Sequence, residues 1–162
     1  MRLVHRWMGV LLRRFPWLGG VVQRLYRVLQ PQFSIGVIGG LPDAAGERVL
    51  LVEHVYHPRQ PWGLPGGWLD RGEDPSQTVE REFQEEVGLH IWAVQPLVVH
   101  RSRLLRGHMD VIYLCALNGD GEQIITLDDE LTGYRWASWD DLPPGMPSHA
   151  REAIRLALGR EK

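Results

Sequence analysis

Residues 66–89 read Gly66-Gly67-Trp68-Leu69-Asp70-Arg71-Gly72-Glu73-Asp74-Pro75-Ser76-Gln77-Thr78-Val79-Glu80-Arg81-Glu82-Phe83-Gln84-Glu85-Glu86-Val87-Gly88-Leu89. They set out a loop, a helix and a stop. Asp74 takes the N-cap, Pro75 the first helical position and Gln77 the capping-box position. Gly88, able to adopt positive φ, ends the helix. At about 100° per residue, with Val79 as zero, Phe83 at about 40° and Val87 at about 80° form an apolar stripe. Glu86 at about 340°, Glu82 at about 300° and Glu85 at about 240° share the adjoining arc. Like charges so placed repel by about 4 kcal/mol per pair at about 4 Å and an effective dielectric of about 20. A divalent cation reverses that penalty, and hard oxygen donors suit magnesium or manganese rather than zinc. For these acids alone, a solvated helix face paired to Arg81 is the competing reading. The approach Leu64-Pro65-Gly66-Gly67 lets backbone come close to a phosphate or a metal, which favours a site. Glu73 and Arg81 then act as a pair tying loop to helix.

Outward from this core, Phe33 to Ile38 and Arg48 to Val52 read as strands, separated by turn signals at Pro42, Asp43 and Gly46. Val94 to His100, Met109 to Leu117 and Tyr134 to Trp139 read as three more. The loop Leu142-Pro143-Pro144-Gly145 leads to a helix over Ser148–Leu158, with Ser148 as cap and Gly159 as stop. Strands among a few helices predict an α/β or α+β layered domain over residues 31–160. The lone cysteine, Cys115, lies in an apolar run and is expected to be buried, which fits a reducing, cytoplasmic setting.

Residues 1–30 stand apart. They hold six arginines and no acid, so a net charge of −2 for the whole chain becomes −8 over residues 31–162. An acidic body repels a polyphosphate unless a metal or placed arginines intervene. The first thirty residues predict two short helices, broken near Pro16 and Gly19-Gly20 and closed before Pro31. Three roles compete for this basic, apolar extension. It packs on the domain or across a homodimer interface, lies on an anionic membrane surface, or is a secretory signal. Arg13-Arg14 and Pro16 interrupt the apolar core that a signal needs. No apolar stretch approaches the roughly 20 residues that span a bilayer.

The pattern Gly67, Glu73, Arg81-Glu82-Phe83, Glu85-Glu86, Gly88-Leu89 resembles the Nudix box at every specified position. Phe83 is bulkier than the usual aliphatic there. With Leu64-Pro65-Gly66-Gly67 before the box and Arg135-Trp136 after it, the resemblance covers residues 32–145. It implies a mixed sheet sandwiched between helices and a magnesium-dependent hydrolase, with manganese as substitute, cutting a phosphoanhydride in a nucleoside diphosphate linked to another group. It implies Glu82, Glu85 and Glu86 as metal ligands, with a carbonyl of Gly66 or Gly67, and Glu73 as the partner that orients Arg81. The base is then a glutamate of the box or one from a distant loop. Glu130, in Asp128-Asp129-Glu130, is the candidate for the latter and Glu122 a weaker one.

For substrate contact the expectations are Gly66 and Gly67, Tyr113 for base stacking beside Trp62 and Trp68, and Arg101 and Arg103 of a basic loop with Arg106. Trp62 reads more readily as core. A nucleoside triphosphate or nucleotide sugar is the default small-molecule substrate, with no specific nucleic-acid partner. The proline typical of the ADP-ribose branch is missing. The alternative is a domain that senses a nucleotide without cutting it, although such domains usually lose the counterparts of Arg81, Glu82, Glu85 and Glu86.

Overall fold

The computed structural model describes residues 14–56, 58, 60–102, 105–119 and 123–160. The chain divides into two compact units, residues 1–32 and 33–162. In the first, helix α1 spans Pro16–Leu29. It runs straight through Gly19-Gly20, where the sequence predicts a break. A glycine inside a helix costs about 1 kcal/mol but does not forbid it, and the helical spacing of Trp17, Leu18, Val21, Val22 and Leu25 is uninterrupted across the pair. The other predicted helix lies outside the described residues. Among the described residues, no helix is long and apolar enough to cross a membrane.

The second unit runs β1 (Ser34–Gly40), β2 (Arg48–His54), β3 (Trp62–Gly63), β4 (Gly66–Trp68), α2 (Pro75–Val87), β5 (Ile91–Arg101), β6 (His108–Leu117), β7 (Leu131–Ser138), a short 3-10 turn (Trp139–Asp141) and α3 (Ser148–Ala157). The expected mixed α+β fold is found, and among the described residues its strands form two sheets. A four-stranded mixed sheet has the order β4-β1-β6-β5, and a three-stranded antiparallel one the order β3-β2-β7. In the first, β1 runs parallel to β6 and antiparallel to β4. Leu50 and Val52 of β2 join the core that carries Val79, Phe83 and Val87 of α2. Their neighbours Val49 and Leu51 join the core that carries Ala153 and Ile154 of α3. Period-two alternation thus serves both helices from one strand.

Helix α2 forms as its sequence predicts. The Asp74 backbone N–H donates to Gln77 Oε1 at 3.0 Å, and Gly88 closes the helix at φ 70°. In α3 the cap is Pro147; Ser148 is already the first helical residue and makes no capping bond. Strand β5 is longer than predicted and bulges on both sides of Pro96, between Ala93 and Gln95 and between Pro96 and Val98. Pro96 lacks the N–H that a regular ladder would use. Cys115 is buried, which pushes its thiol up to about 12.

Gly39 sets how closely α2 can lie on β1. A Cβ there would run into the Phe83 ring and come within 2.8 Å of both Val79 Cγ2 and Cys115 Sγ. Gly39→Ala is expected to lower stability by about 1–3 kcal/mol, the range for overpacking a filled core. Urea unfolding checks it, and an unchanged midpoint would show that the helix can retreat without loss.

Candidate active site

Backbone geometry builds this site before any side chain enters it. Gly66, Gly67 and Trp68 pair with Ile38, Val37 and Gly36. The Gly39 and Leu69 N–H groups donate to the carbonyls of Pro65 and Ile35, both at 2.9 Å, and pin the loop at each end. Gly66 has φ 150°, and a Cβ on it would run into the Val37 carbonyl oxygen. A Cβ on Gly67 would meet the Glu82 carboxyl group instead. The two glycines therefore let the chain pass between strand β1 on one side and a carboxylate of α2 on the other. The Gly66 N–H donates to Glu86 Oε2 at 2.8 Å.

Arg81 is the hub of the acidic helix face. Its Nε and Nη2 donate to the two Glu73 oxygens at 3.1 and 3.2 Å. Its Nη1 donates to Glu82 Oε1 at 2.7 Å and to Glu85 Oε2 at 2.9 Å. Glu73 also accepts from the Thr78 hydroxyl at 2.8 Å. The Arg81 hydrogen bonds, then that of Thr78, hold the Glu73 carboxyl at about 2, and the same pairing pushes Arg81 up. Glu82 is pushed up by burial despite Arg81. Glu86 is only 7% exposed, and burial pushes it up to about 8 against the Gly66 hydrogen bond, with Glu82, Asp128 and Glu130 adding repulsion.

Contrary to the expectation from charge alone, the three carboxylates do not require a cation to coexist, because Arg81 answers Glu82 and Glu85 while Glu86 can keep its proton. Among the described residues, no three His, Cys, Asp or Glu side chains converge as a ready metal cage. The donor set still fits a hard divalent ion. Glu73, Glu82 and Glu85 share the single Arg81 guanidinium, and the Gly66–Gly67 backbone runs beside Glu82 and Glu86.

Glu130 reaches the same cleft by a backbone route. Thr126 and Asp128 donate N–H groups to the α2 carbonyls of Val87 and Glu86, at 3.0 and 3.1 Å. Asp128 Oδ1 then accepts from the Glu130 N–H at 3.0 Å, and the Glu130 carbonyl accepts from Val55 N–H at 3.0 Å. The resulting cleft, about 470 Å³, is lined by Gly66, Gly67, Trp68, Asp70, Arg81, Glu82, Glu86 and Glu130, with His54 and Tyr56. A larger and more apolar cavity of about 680 Å³ shares His54, Tyr56 and Gly66 with it and adds Trp62, Leu64, Met146, Pro147 and His149.

Two predicted substrate residues stay away from both. Tyr113 packs against the α2-side core, because it shares a strand face with buried Cys115 and not with Ile112. Arg101 ends β5 opposite Met109 and lines neither cavity. Arg103 and Glu122 lie outside the described residues. Trp62 is only partly core, since it also walls the apolar cavity, with Arg135 Cζ 5.0 Å from its ring centroid. His54, Tyr56 and His149 are missed by sequence reasoning, because isolated aromatics without spacing carry no signal. Their meeting depends on the turn after β2 facing the start of α3. His149 stacks on His100 at 4.2 Å, and burial pushes its imidazole down.

Comparison with known proteins matches this geometry. The chain is 39% identical over 112 residues to nucleoside diphosphate-linked moiety X motif 6 of Xenopus laevis, covering 67% of this chain and 52% of that one. It is 28% identical over 143 residues to the NAD-capped RNA hydrolase NudC of Actinobacillus succinogenes, covering 82% and 49%. The chain therefore spans about half the length of these two curated relatives. Among solved structures, an ADP-ribose pyrophosphatase from Streptococcus suis aligns with a TM-score of 0.63 at 25% identity, covering 80% of this chain and 91% of that one. The family model of the NUDIX domain matches residues 32–157, and with that span matched the chain belongs to the NUDIX family.

Proposed function

We propose that the chain hydrolyses a phosphoanhydride bond in a nucleoside diphosphate linked to another group, a nucleoside triphosphate or a nucleotide sugar, with magnesium as its metal and manganese as substitute. The activity is assigned to residues 31–160, with residues 1–30 as an extension. The observation that carries this reading is that Glu82, Glu86 and Glu130 line one cleft walled by the Gly66–Gly67 backbone. Glu82, Glu85 and Glu86, with a Gly66 or Gly67 carbonyl, are the groups that would hold the metal. A divalent ion bound there supplies charge neutralisation for the phosphates and acidifies water. Glu73 fixes the Arg81 guanidinium, which in turn fixes Glu82 and Glu85. Glu130, which lines the same cleft from the opposite loop, is assigned as the group that takes the proton of the attacking water. The adjoining apolar cavity, with Trp62 and Tyr56 in its wall, suits the base or the linked group. The relatives' names, which speak of nucleoside diphosphate-linked moieties and of NAD caps, support the same class of bond.

The test is a panel of nucleoside triphosphates, nucleotide sugars and dinucleotides incubated in oxygen-18 water with and without magnesium. Magnesium-dependent cleavage with label in one phosphate product is expected. Tight binding of a nucleotide with no turnover of any compound would favour a sensing domain instead.

A further inference from the structure

We propose that α1 is an in-plane membrane anchor that docks this chain on an anionic lipid surface. At about 100° per residue, with Pro16 as zero, its apolar side chains occupy one continuous arc. Trp17, Val28, Val21, Leu25, Leu18, Leu29, Val22 and Tyr26 follow one another from about 100° to about 280°. Gln23 at about 340°, Arg27 at about 20° and Arg24 at about 80° occupy the other half. Gly19 at about 300° and Gly20 at about 40° also fall outside the arc and take nothing from it. Half of the helix surface is thus apolar. Its apolar residues are exposed: Trp17 is 65% exposed, Leu25 62% and Val28 79%.

Charge and edge chemistry choose the occupant. Residues 1–30 carry six arginines and no acid, so whatever covers this face is apolar in the middle and negative around it. Arg24 borders the arc next to Trp17, where a long stem can follow the helix into the acyl boundary while the guanidinium stays among headgroups. Trp17 and Tyr26 mark the two edges, and rings with one polar atom favour the depth between hydrocarbon and water. A second copy of the chain fits less well. A twofold contact through the apolar arc would leave Arg24 on the rim of the interface with no acid of residues 1–30 to answer it. Spanning is excluded for α1 by length, since 14 residues rise only about 21 Å. A 14-residue helix containing two glycines is marginal in water without a surface to cover it. Lipid binding therefore adds helicity.

The experiment co-sediments the full chain with vesicles of phosphatidylcholine alone or with about 30 mol% phosphatidylserine, at low and high salt. Light scattering in vesicle-free solution gives the mass. Binding to the anionic vesicles, with helicity by circular dichroism rising on binding, is expected. Binding should weaken with salt and fall about 30-fold in the Arg24→Gln/Arg27→Gln double variant, two surface charges having been lost. The Arg24→Lys/Arg27→Lys variant keeps the charge and should keep the binding. Leu25→Asp should abolish it. Equal partitioning onto both vesicle types, or indifference to the glutamine pair, would overturn the proposal. So would a dimer that Leu25→Asp dissociates and that ignores vesicles, which would make the apolar arc a contact between copies.

Discussion

Glu86→Gln is expected to lower magnesium-dependent turnover by several orders of magnitude without unfolding the protein. The substitution keeps the side chain's shape, and a glutamine oxygen can still accept the Gly66 N–H that Glu86 Oε2 accepts at 2.8 Å. What it removes is a negative charge in a place where charge is costly, since Glu86 is nearly buried and its carboxyl is pushed up to about 8. A residue serving only the fold gains from losing that charge, whereas a metal ligand fails without it. The two roles therefore predict opposite signs in two measurements on the same variant. Stability of the metal-free protein should hold or rise at neutral pH, while turnover collapses. Near-normal magnesium-dependent turnover by this variant would take Glu86 out of the site.

The second large effect is a pH dependence that the metal should cancel. Below about pH 4.5, the ordinary value, Glu86 is protonated whether the chain is folded or not. Between there and about 8 the unfolded chain has released that proton while the folded one retains it. Unfolding then releases a proton, so stability falls as pH rises. Above about 8 both states are ionised and the loss, at most about 5 kcal/mol, is complete. Glu82 is shifted in the same sense by its burial. Glu73 is shifted the other way, to about 2. Its contribution is present above its ordinary value of 4.5 and is lost as pH falls through about 2, so it does not oppose the trend. A divalent cation favours the ionised acids, so its stabilisation should grow across that range and level off near pH 8. Urea unfolding with a chelator and with magnesium, at about pH 5, 7 and 9, reads the difference. A magnesium increment independent of pH would mean that the cation does not compete with the Glu86 proton.

Legibility in the sequence follows the range of the interactions. Helix α2 is readable to the residue because its start and stop are local: Gln77 bonds to Asp74 three residues away, and Gly88 needs only its own φ. The Ser148 cap fails even though capping is local, since Pro147 takes the position and nothing in the residue types marks the shift by one. The split into two sheets is not legible, because pairing β2 with β7 joins Arg48 to Ser138 across the chain. Tyr113 suits a base by its type, yet strand alternation turns it toward the α2-side core. Glu130 stands out by its acidic neighbourhood, and its arrival in the cleft depends on backbone bonds to α2 that composition does not encode. The acidic helix face shows the same limit. Counting its carboxylates does not reveal how many of them one guanidinium can serve.

The splice between α2 and the segment from Thr126 to Glu130 has a practical corollary. Because main-chain groups of Glu86 and Val87 hold Asp128 and Thr126 directly, the spacing of the box acid and the loop acid is written in peptide units, not in side-chain packing. Natural or engineered length changes can accumulate before Thr126 without disturbing that ruler. A single residue inserted after it would advance the register by one and present Asp129 where Glu130 now stands.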